Sequence, residues 1–425
     1  MMEFTEASPL MPTDLSTSLK TWQQRIRQEL WQQVIPFWLN HSLDWQWGGY
    51  FNCLDRNGQR YDDKKYVWLQ GRQVWMLARL CRMYPEHPER QRWLEAVPLG
   101  LHFLRRFAYR PQDQRVYFCL SREGQPVYLQ RKIFSECFYV MALAECARLF
   151  ADPTLMQEAE QVFAAIWSWV SQSQTDWAQD SIPPGRPRWP GSPEVSELAV
   201  PMILLNVIGE LAGSYPEQEQ WCLARIRLHH RPELNLVLET VAADGTLLNT
   251  PEGRLLNPGH AIEAGWFLLE YGERTGDPEG SLQTMALEMI AGSLAVGWDA
   301  EYGGLFYFLD RQGYSPVQLE WSLKLWWPHC EAMVATLAAY GITGSLEWWQ
   351  RFEQVANYTF AHFPDPEYGE WFGYLDRQGQ VSQRFKGGPY KGCFHVPRAL
   401  MWADQWLGRA LDLQVQGVNP QNKRR

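Results

Sequence analysis

A short motif recurs along the chain at nearly regular intervals, and it limits the possible fold more than any other feature. Its clearest copies span residues 47–58, 302–313 and 368–379, and each ends in Asp-Arg-x-Gly after a run of glycine and aromatic residues. Shortened copies span residues 116–124 and 241–245. The last glycines of these five copies are separated by 66, 121, 68 and 66 residues. The chain is therefore built from repeated units.

The residues between the copies predict pairs of helices. Each copy is typical of a short strand that enters a tight turn, where glycine supplies a positive φ. A helical pattern follows each turn, and a second helix with one more polar face follows the first. The first helices are expected at about residues 66–84, 133–150, 260–271, 320–340 and 395–411. Each unit is thus a hairpin plus two helices.

The double-length interval predicts a sixth unit near residues 183–190, where proline and glycine replace the motif. Helix pairs bury their apolar faces only against neighbouring pairs, and six units can close into a ring. We therefore expect an all-α fold, an (α/α)6 barrel with short β-hairpins around one mouth, as a single domain over residues 21–413. Flexible tails are expected at residues 1–20 and 414–425. An open superhelix is the alternative, but neither terminus has a polar capping repeat.

Composition excludes several classes of partner. The net charge is -9, and the basic residues cluster only at residues 423–425, so nucleic acid is not expected to bind. Residues 1–20 lack the apolar stretch of a signal peptide, and no apolar run is long enough to cross a bilayer. We expect a cytoplasmic protein that does not associate with membranes. The eight cysteines form no C-x-x-C pair, which favours reduced core residues over a zinc site or disulfides.

Polar residues recur at similar distances after the turn glycines. In a closed ring of repeats, equivalent positions face a common centre, so these residues predict a site at one mouth of the barrel. They lie 12 to 18 residues after the glycines and are Arg72, Glu136, His260, Glu331 and His395.

Two histidines stand in distinctive segments. His260 opens a helix, and Glu263 lies on the same helical face, where its carboxylate could hold the imidazole in one tautomer. Both residues could equally be structural. No metal is expected, because the H-E-x-x-H signature and a third ligand at recognisable spacing are absent. His395 follows a glycine-rich stretch that lacks the spacing of a phosphate-binding P-loop.

An arginine and several tryptophans complete the candidate pocket. Trp68 and Arg72 share one helical face, and a cation there would stabilise an anionic or enolate oxygen, or would cap hairpin carbonyls. The segment 326–331 contains Trp327 and His329. Its tryptophans are either core residues or a platform on which a sugar stacks.

Residues 259–263, 324–332 and 387–398 resemble the N-acylglucosamine 2-epimerase (renin-binding protein) family, and the resemblance extends from about residue 22 to residue 413. It implies an (α/α)6 barrel, usually a homodimer, that interconverts N-acetylglucosamine and N-acetylmannosamine without a metal or redox cofactor. It also implies ATP as an activator.

The resemblance assigns roles to the candidate residues. His260 and His395 match the acid/base pair, Arg72 matches the pocket arginine, and Glu263 and Glu331 match the supporting carboxylates. We expect Glu263 to orient His260 and Glu331 to fix sugar hydroxyl groups.

Further contacts are expected from the same segments. The sugar is predicted to contact Trp68, Trp327, His329 and Lys391. Residues 130–133 resemble a nucleotide-binding segment, which predicts that Arg131 and Lys132 contact an ATP effector.

Inversion at C2 of a ring-opened sugar needs proton transfer on two faces, and two histidines with pKa values near neutrality suit that task. Four alternatives remain open: an epimerase acting on cellobiose, mannose or sulfoquinovose, an aldose–ketose isomerase, a glycoside hydrolase that uses Glu263 and Glu331, and a non-catalytic binding protein.

Overall fold

The computed structural model of the chain describes residues 12–130, 132–172, 194–277 and 279–415. Its α-helices are α1 Pro12–Gln28, α2 Ile35–His41, α3 Val67–Met83, α4 Arg90–Phe103, α5 Phe134–Phe150, α6 Pro153–Gln172, α7 Ala199–Glu210, α8 Pro216–His229, α9 Pro251–Arg254, α10 Pro258–Thr275, α11 Ser281–Gly297, α12 Trp326–Thr343, α13 Leu346–His362 and α14 His395–Val415. Its strands are β1 Cys53–Leu54, β2 Arg60–Asp62, β3 Lys65–Tyr66, β4 Tyr109–Arg110, β5 Arg115–Val116, β6 Cys119–Leu120, β7 Pro126–Tyr128, β8 Val195–Glu197, β9 His230–Arg231, β10 Leu236–Val237, β11 Thr240–Ala242, β12 Leu255–Leu256, β13 Leu309–Asp310, β14 Lys324–Leu325, β15 Tyr374–Leu375 and β16 Val381–Gln383.

The helices form two concentric rings. The inner ring consists of α3, α5, α7, α10, α12 and α14, and each of these helices packs on the next. The outer partners of these helices, in the same order, are α4, α6, α8, α11, α13 and α1. The inner helices are buried on almost every side, as α12 shows, because they lie between the outer ring and the barrel axis. The predicted (α/α)6 barrel is confirmed.

The N-terminal helix closes the outer ring. The inner helix α14 has no outer helix after it in the described residues, and α1 packs on it instead, with Arg27 bonded to Asp404. The prediction that every inner helix precedes its own outer partner is therefore wrong for the last unit. The predicted tail at residues 1–20 overlaps α1, in which Leu19 is fully buried. Apolar residues spaced three and four apart give α1 the stripe that the tail prediction overlooked. At the other end, α14 continues to Val415.

The five turn glycines have the conformation that the motif predicts. Their φ values lie between +80° and +90°, in the left-handed region that favours glycine. Each glycine N–H donates to the carbonyl three residues earlier, which closes a tight turn. Three copies form their own hairpins, β1–β2, β6–β7 and β15–β16. The other two do not, because β11 pairs with β8 and β13 pairs with β12.

Four consecutive units of the ring, the last two and the first two, are joined by three similar groups of charges in which the lysine and the aspartate are buried. A lysine before an inner helix binds an aspartate, and the arginine of a turn motif in the adjoining unit binds that aspartate as well. The three groups, which we call the joint triads, are Lys65, Asp44 and Arg122; Lys324, Asp299 and Arg377; and Lys386, Asp365 and Arg56. The last joins the final unit to the first and so closes the ring.

The helix expected from residue 320 begins at Trp326, because β14 precedes it and pairs with β15. All eight cysteines are buried, as predicted for core residues. The sixth unit expected near residues 183–190 lies outside the described residues. No helix in the described part of the chain is long and apolar enough to span a membrane.

Candidate active site

A cavity of about 700 Å³ opens among the hairpins at one mouth of the barrel. The inner helices and the residues that precede them supply most of its polar groups, and the loops supply aromatic walls. Its helical lining residues are Trp68, Arg72, His260, Glu263, Trp326, Trp327 and His395. Its hairpins and loops contribute Tyr307, Glu320, Tyr374, Phe385, Pro389 and Tyr390, among others. Six of the residues predicted from the sequence therefore meet in one cavity.

His395 begins α14 and is held by a buried carboxylate. Its Nδ1 lies 2.7 Å from Oε1 of Glu331, and Nε2 has no partner among the described residues. Burial lowers the pKa of His395 well below its usual range, and the guanidinium groups of Arg72 and Arg398 act in the same direction. The neutral imidazole donates Nδ1–H to Glu331, so the lone pair on Nε2 is available to a ligand in the cavity.

His260 lies in the first turn of α10 and has a different carboxylate partner from the one predicted. Its Nδ1 lies 2.9 Å and 3.1 Å from the two carboxylate oxygens of Glu239. Burial disfavours the imidazolium, but the charge and hydrogen bond of Glu239 outweigh it and raise the pKa of His260. The prediction that Glu263 orients His260 is wrong, because Glu239 reaches Nδ1 from the loop after β10.

One tryptophan lies against both histidines. The ring centre of Trp327 is 5.2 Å from that of His260 and 5.9 Å from that of His395. Gly259 lies directly against this indole, since a Cβ there would come within 2.5 Å of the ring. Two imidazoles more than a hundred residues apart in the sequence thus share one wall of one cavity.

The carboxylates of Glu263 and Glu331 are bridged by Arg398. One guanidinium nitrogen, Nη2, lies 2.7 Å from an oxygen of each carboxylate. Glu331 is fully buried, outside the cavity lining, and also accepts a hydrogen bond from Trp266. The prediction that Glu331 fixes sugar hydroxyl groups is therefore wrong.

A metal ion would suit the donor atoms of this cluster but not its charge. Oxygens of Glu263 and Glu331 and a nitrogen of His395 lie within 4.8 Å of one another. The guanidinium of Arg398 binds between them and already supplies the positive charge that a divalent cation would bring.

Arg72 projects into the cavity without a carboxylate partner in the described residues. Its guanidinium carbon lies 4.1 Å from the ring centre of Phe138, 4.7 Å from that of Trp68 and 5.0 Å from that of Phe394. Its buried Nε has no hydrogen-bond partner within the described part of the chain. Burial lowers the pKa of Arg72 to about 9, so the group stays cationic at neutral pH. This cation is free to bind an oxygen atom of a ligand.

Two of the predicted sugar contacts are wrong. His329 is fully buried, accepts a hydrogen bond from the N–H of Leu305 and contacts the carbonyl of Leu325. Burial lowers its pKa to about 3, so it remains a neutral structural residue. Lys391 is also fully buried and pairs with Glu370. Neither side chain lines the cavity.

The predicted nucleotide segment is described only in part, since Arg131 lies outside the described residues. Lys132 is exposed and lies 4.0 Å from Glu197, outside the cavity lining.

Sequence reasoning missed Glu239 and Arg398. Arg398 lies three residues after His395 and therefore on the same helical face, a spacing that could have indicated it. Glu239 lies in a loop whose path depends on the β11–β8 pairing, so no local pattern places it beside His260.

Comparisons with known proteins agree with this geometry. A family model described as N-acylglucosamine 2-epimerase (GlcNAc 2-epimerase) matches residues 49–399. The chain is 47% identical over 402 residues to the N-acylglucosamine 2-epimerase of Bos taurus, covering 93% of both chains. It is 46% identical over 402 residues to that of Homo sapiens, covering 93% of this chain and 92% of the relative. Its fold is similar to that of a solved cellobiose 2-epimerase from Spirochaeta thermophila, with a TM-score of 0.78, 21% identity, and coverage of 94% of this chain and 100% of that one.

Proposed function

The chain belongs to the N-acylglucosamine 2-epimerase family, and we propose that it interconverts N-acetylglucosamine and N-acetylmannosamine by proton transfer between His260, His395 and C2 of the ring-opened sugar. It is thus an isomerase. The observation that carries the mechanism is that both imidazoles line one cavity, each with Nδ1 held by a carboxylate and Nε2 unpartnered in the described residues.

The chemistry calls for two groups in opposite protonation states. The aldehyde of the open sugar acidifies the proton on C2, and its removal gives a planar enolate. Return of a proton to the other face inverts C2. One group must therefore begin as a base while another begins as an acid.

The pKa values of the two histidines are shifted in opposite directions, as the reaction requires. His395 has a lowered pKa and is neutral, so its Nε2 takes the C2 proton. His260 has a raised pKa because of Glu239, so its imidazolium delivers a proton from Nε2. In the reverse reaction the roles exchange. Each transfer contributes on the order of 10²–10⁴ to the rate.

Arg72 is the group suited to the developing negative charge. Its guanidinium is buried among aromatic rings and has no carboxylate partner in the described residues, so its charge is available to the enolate oxygen. Such preorganised donors commonly contribute factors of about 10²–10³ to kcat. The aromatic walls, including Trp68 and Trp327, suit the apolar faces of a sugar ring.

The glycoside hydrolase alternative is disfavoured by the position of its two carboxylates. Glycosidases place two carboxyl groups on either side of the scissile bond. Here Glu263 and Glu331 share a single nitrogen of Arg398, which leaves no space for a glycosidic oxygen between them.

Several properties that the family resemblance implies stay proposals. We propose that histidine and arginine side chains supply the chemistry without a metal or redox cofactor, since proton transfer and charge stabilisation are the only requirements. Activation by ATP, a homodimeric assembly and a cytoplasmic location are further predictions from the resemblance.

Incubation of the purified protein with N-acetylglucosamine in deuterated water tests the proposal. We expect N-acetylmannosamine to form, with deuterium on C2. The incubation is run with and without added ATP, because the family resemblance predicts ATP as an activator. A ketose formed from an aldose with a hydroxyl group on C2, such as mannose, would instead indicate an aldose–ketose isomerase. Absence of both C2 exchange and any product, with and without ATP, would reject the enzymatic function and favour a binding protein.

A further inference from the structure

One residue of the repeat motif occupies a position that the backbone reserves for glycine. In two copies of the motif the second glycine of a Gly-Gly pair, Gly49 or Gly304, has a φ of 72° or 74°. The remaining full-length copy, at residues 368–379, has Glu370 at this position, with a φ of 54°. A side chain in the left-handed region is strained, and such strain persists where the surrounding structure has a use for the residue.

The carboxylate of Glu370 is engaged in a buried ion pair. Its Oε1 lies 2.7 Å from Nζ of Lys391, and its Oε2 accepts a hydrogen bond from Nε1 of Trp38 at 2.5 Å. Both charged side chains are completely shielded from solvent. Desolvating two charges is costly, and an ion pair is seldom the most stable filling of such a space. The pair therefore calls for an explanation other than stability.

The same ion pair lies where the last unit of the barrel departs from the other two units that have a joint triad. After the copies at residues 47–58 and 302–313, the inner helix begins two residues after the triad lysine, at Val67 after Lys65 and at Trp326 after Lys324. In the last copy, α14 begins nine residues after Lys386. Residues 387–394 are thus a non-helical segment that replaces the expected start of the helix.

This segment forms part of the cavity wall and leads into His395. Pro389 and Tyr390 line the cavity, and the carbonyl of Pro389 accepts a hydrogen bond from Nε1 of Trp68 at 3.0 Å. The N–H of Gly388 donates to the carbonyl of Lys391, so the tip of the segment is a tight turn. Nζ of Lys391 also donates to the carbonyl of Lys386 at 2.9 Å, which ties the two ends of that turn together.

We propose that Glu370 and Lys391 are positioning residues, which fix the non-helical segment 387–394 so that its tip walls the cavity and His395 emerges at the right point. The lysine bridges the segment, and the carboxylate anchors the lysine to the motif of the same unit. Neither side chain touches the cavity, so both act through Pro389, Tyr390 and His395. The expected effect on kcat/KM rests on the proposed epimerase function, whereas the expected effect on the conformation of residues 387–394 does not.

The test is a double variant, Glu370→Gly with Lys391→Met. Glycine restores the residue of the other two copies and relieves the strained φ, and methionine keeps much of the lysine stem without its charge. Because both charges leave together, no unpaired buried ion remains. We therefore expect the variant to fold, with an unfolding midpoint close to that of the unaltered chain.

Two measurements on this variant are decisive. Hydrogen exchange followed by mass spectrometry should show peptides covering residues 387–394 exchanging at least about tenfold faster, with the equivalent residues 326–333 of α12 unchanged. The value of kcat/KM for N-acetylglucosamine should fall at least about tenfold, with part of the loss in kcat, because His395 is displaced from the reacting carbon.

Ala151→Gly is the matched control. Ala151 also has a positive φ, 51°, but it is exposed at the end of α5 and remote from the cavity lining, so relieving its strain should leave both measurements unchanged. Glu370→Gln with Lys391→Gln, which also removes both charges but keeps polar side chains at both positions, is the second variant should the first double variant not fold, and it should show the same changes to a smaller extent.

Unchanged exchange over residues 387–394 together with unchanged kcat/KM in a folded variant would overturn the proposal and leave the pair a packing feature. Faster exchange without a kinetic effect would also overturn the positioning role. Failure of the epimerase function itself would appear differently, as absence of turnover in the unaltered chain.

Discussion

Arg56 and Asp365 stand at opposite ends of the sequence, yet Nε of the arginine lies 2.7 Å from the carboxylate of the aspartate. Arg56 belongs to the first turn motif and Asp365 precedes the last one. Asp365 also binds the fully buried Nζ of Lys386 at 3.1 Å. This joint triad closes the barrel, and its two counterparts join consecutive units in the same way.

Replacing the aspartate of the closing triad should destabilise the barrel. Asp365→Asn leaves the ammonium of Lys386 buried without its counter-charge, and breaking a buried pair in this way costs about 3 kcal/mol. We expect that loss in the free energy of unfolding, measured by urea denaturation. Glu367→Gln is the matched control, because Glu367 binds the same Arg56 at an exposed position and should contribute less than about 1 kcal/mol. Equal effects of the two variants would contradict the role of the closing triad.

The triads also predict how stability depends on acid. Burial opposes ionisation, but hydrogen bonds from Arg56 and Lys386 lower the pKa of Asp365 to about 2, and those from Arg122 and Lys65 lower that of Asp44 to about 2. Because these folded-state values lie below the unfolded value near 3.8, the contribution is complete above that pH and is lost as the pH falls from about 4 to about 2.

The acid dependence is checked by urea midpoints measured across that range of pH. The midpoint should fall steadily from pH 4 downward, and Asp365→Asn should flatten the slope by removing one titrating group. A midpoint that is flat between pH 4 and pH 2.5 would show that the triads do not have the electrostatic role assigned to them.

The sequence predicts the fold well and the site in part, for a physical reason. Turn glycines such as Gly58 and Gly379 report a local backbone conformation that a single residue type favours, so their spacing gives the repeat and hence the ring. The positions of His260 and His395 at the cavity could be predicted from their distances after the turn glycines. The carboxylate partner of His260 could not be predicted, because the path of a loop, and not helical spacing, brings Glu239 beside it.

Buried polar residues were the main source of error. His329 and Lys391 lie in the same segments as true cavity residues and have the right chemistry, but their side chains satisfy backbone or carboxylate groups behind the wall. A histidine or lysine beside a site residue is thus ambiguous in sequence, since which side of the helix or turn faces the cavity depends on packing between distant elements.

Replacement of either histidine should greatly lower the turnover number while preserving the fold. We expect His260→Ala and His395→Ala each to lower kcat for N-acetylglucosamine by about 10²–10⁴. Exchange of the C2 hydrogen with deuterated water separates the roles, since loss of the base His395 stops exchange of N-acetylglucosamine more completely than loss of the acid His260. Wild-type exchange in both variants would refute the histidine mechanism.

The carboxylate of Glu239 should determine the pH above which the imidazolium of His260 loses its proton and activity falls. Glu239 raises the pKa of His260, and activity that needs the imidazolium is lost as the pH rises through that pKa. Glu239→Gln removes the charge, so the basic limb of the kcat profile should move to lower pH. Glu197→Gln, an exposed carboxylate on β8, is the matched control and should leave the profile in place. A basic limb that stays fixed in Glu239→Gln would show that His260 is not the acid.

Arg72 should act mainly on the transition state. Its guanidinium faces the cavity without a carboxylate in the described residues, so its charge is matched only when the enolate forms. We expect Arg72→Met to lower kcat by about 10²–10³ with a smaller change in KM, as measured by initial rates in both directions. Arg72→Lys should recover only part of the loss, because the ammonium lacks the planar fork that stacks on Phe138 and Trp68. If KM instead rose while kcat stayed constant, Arg72 would bind the ground-state sugar equally well. The enolate would then need another source of positive charge, and Arg398 is already paired with Glu263 and Glu331.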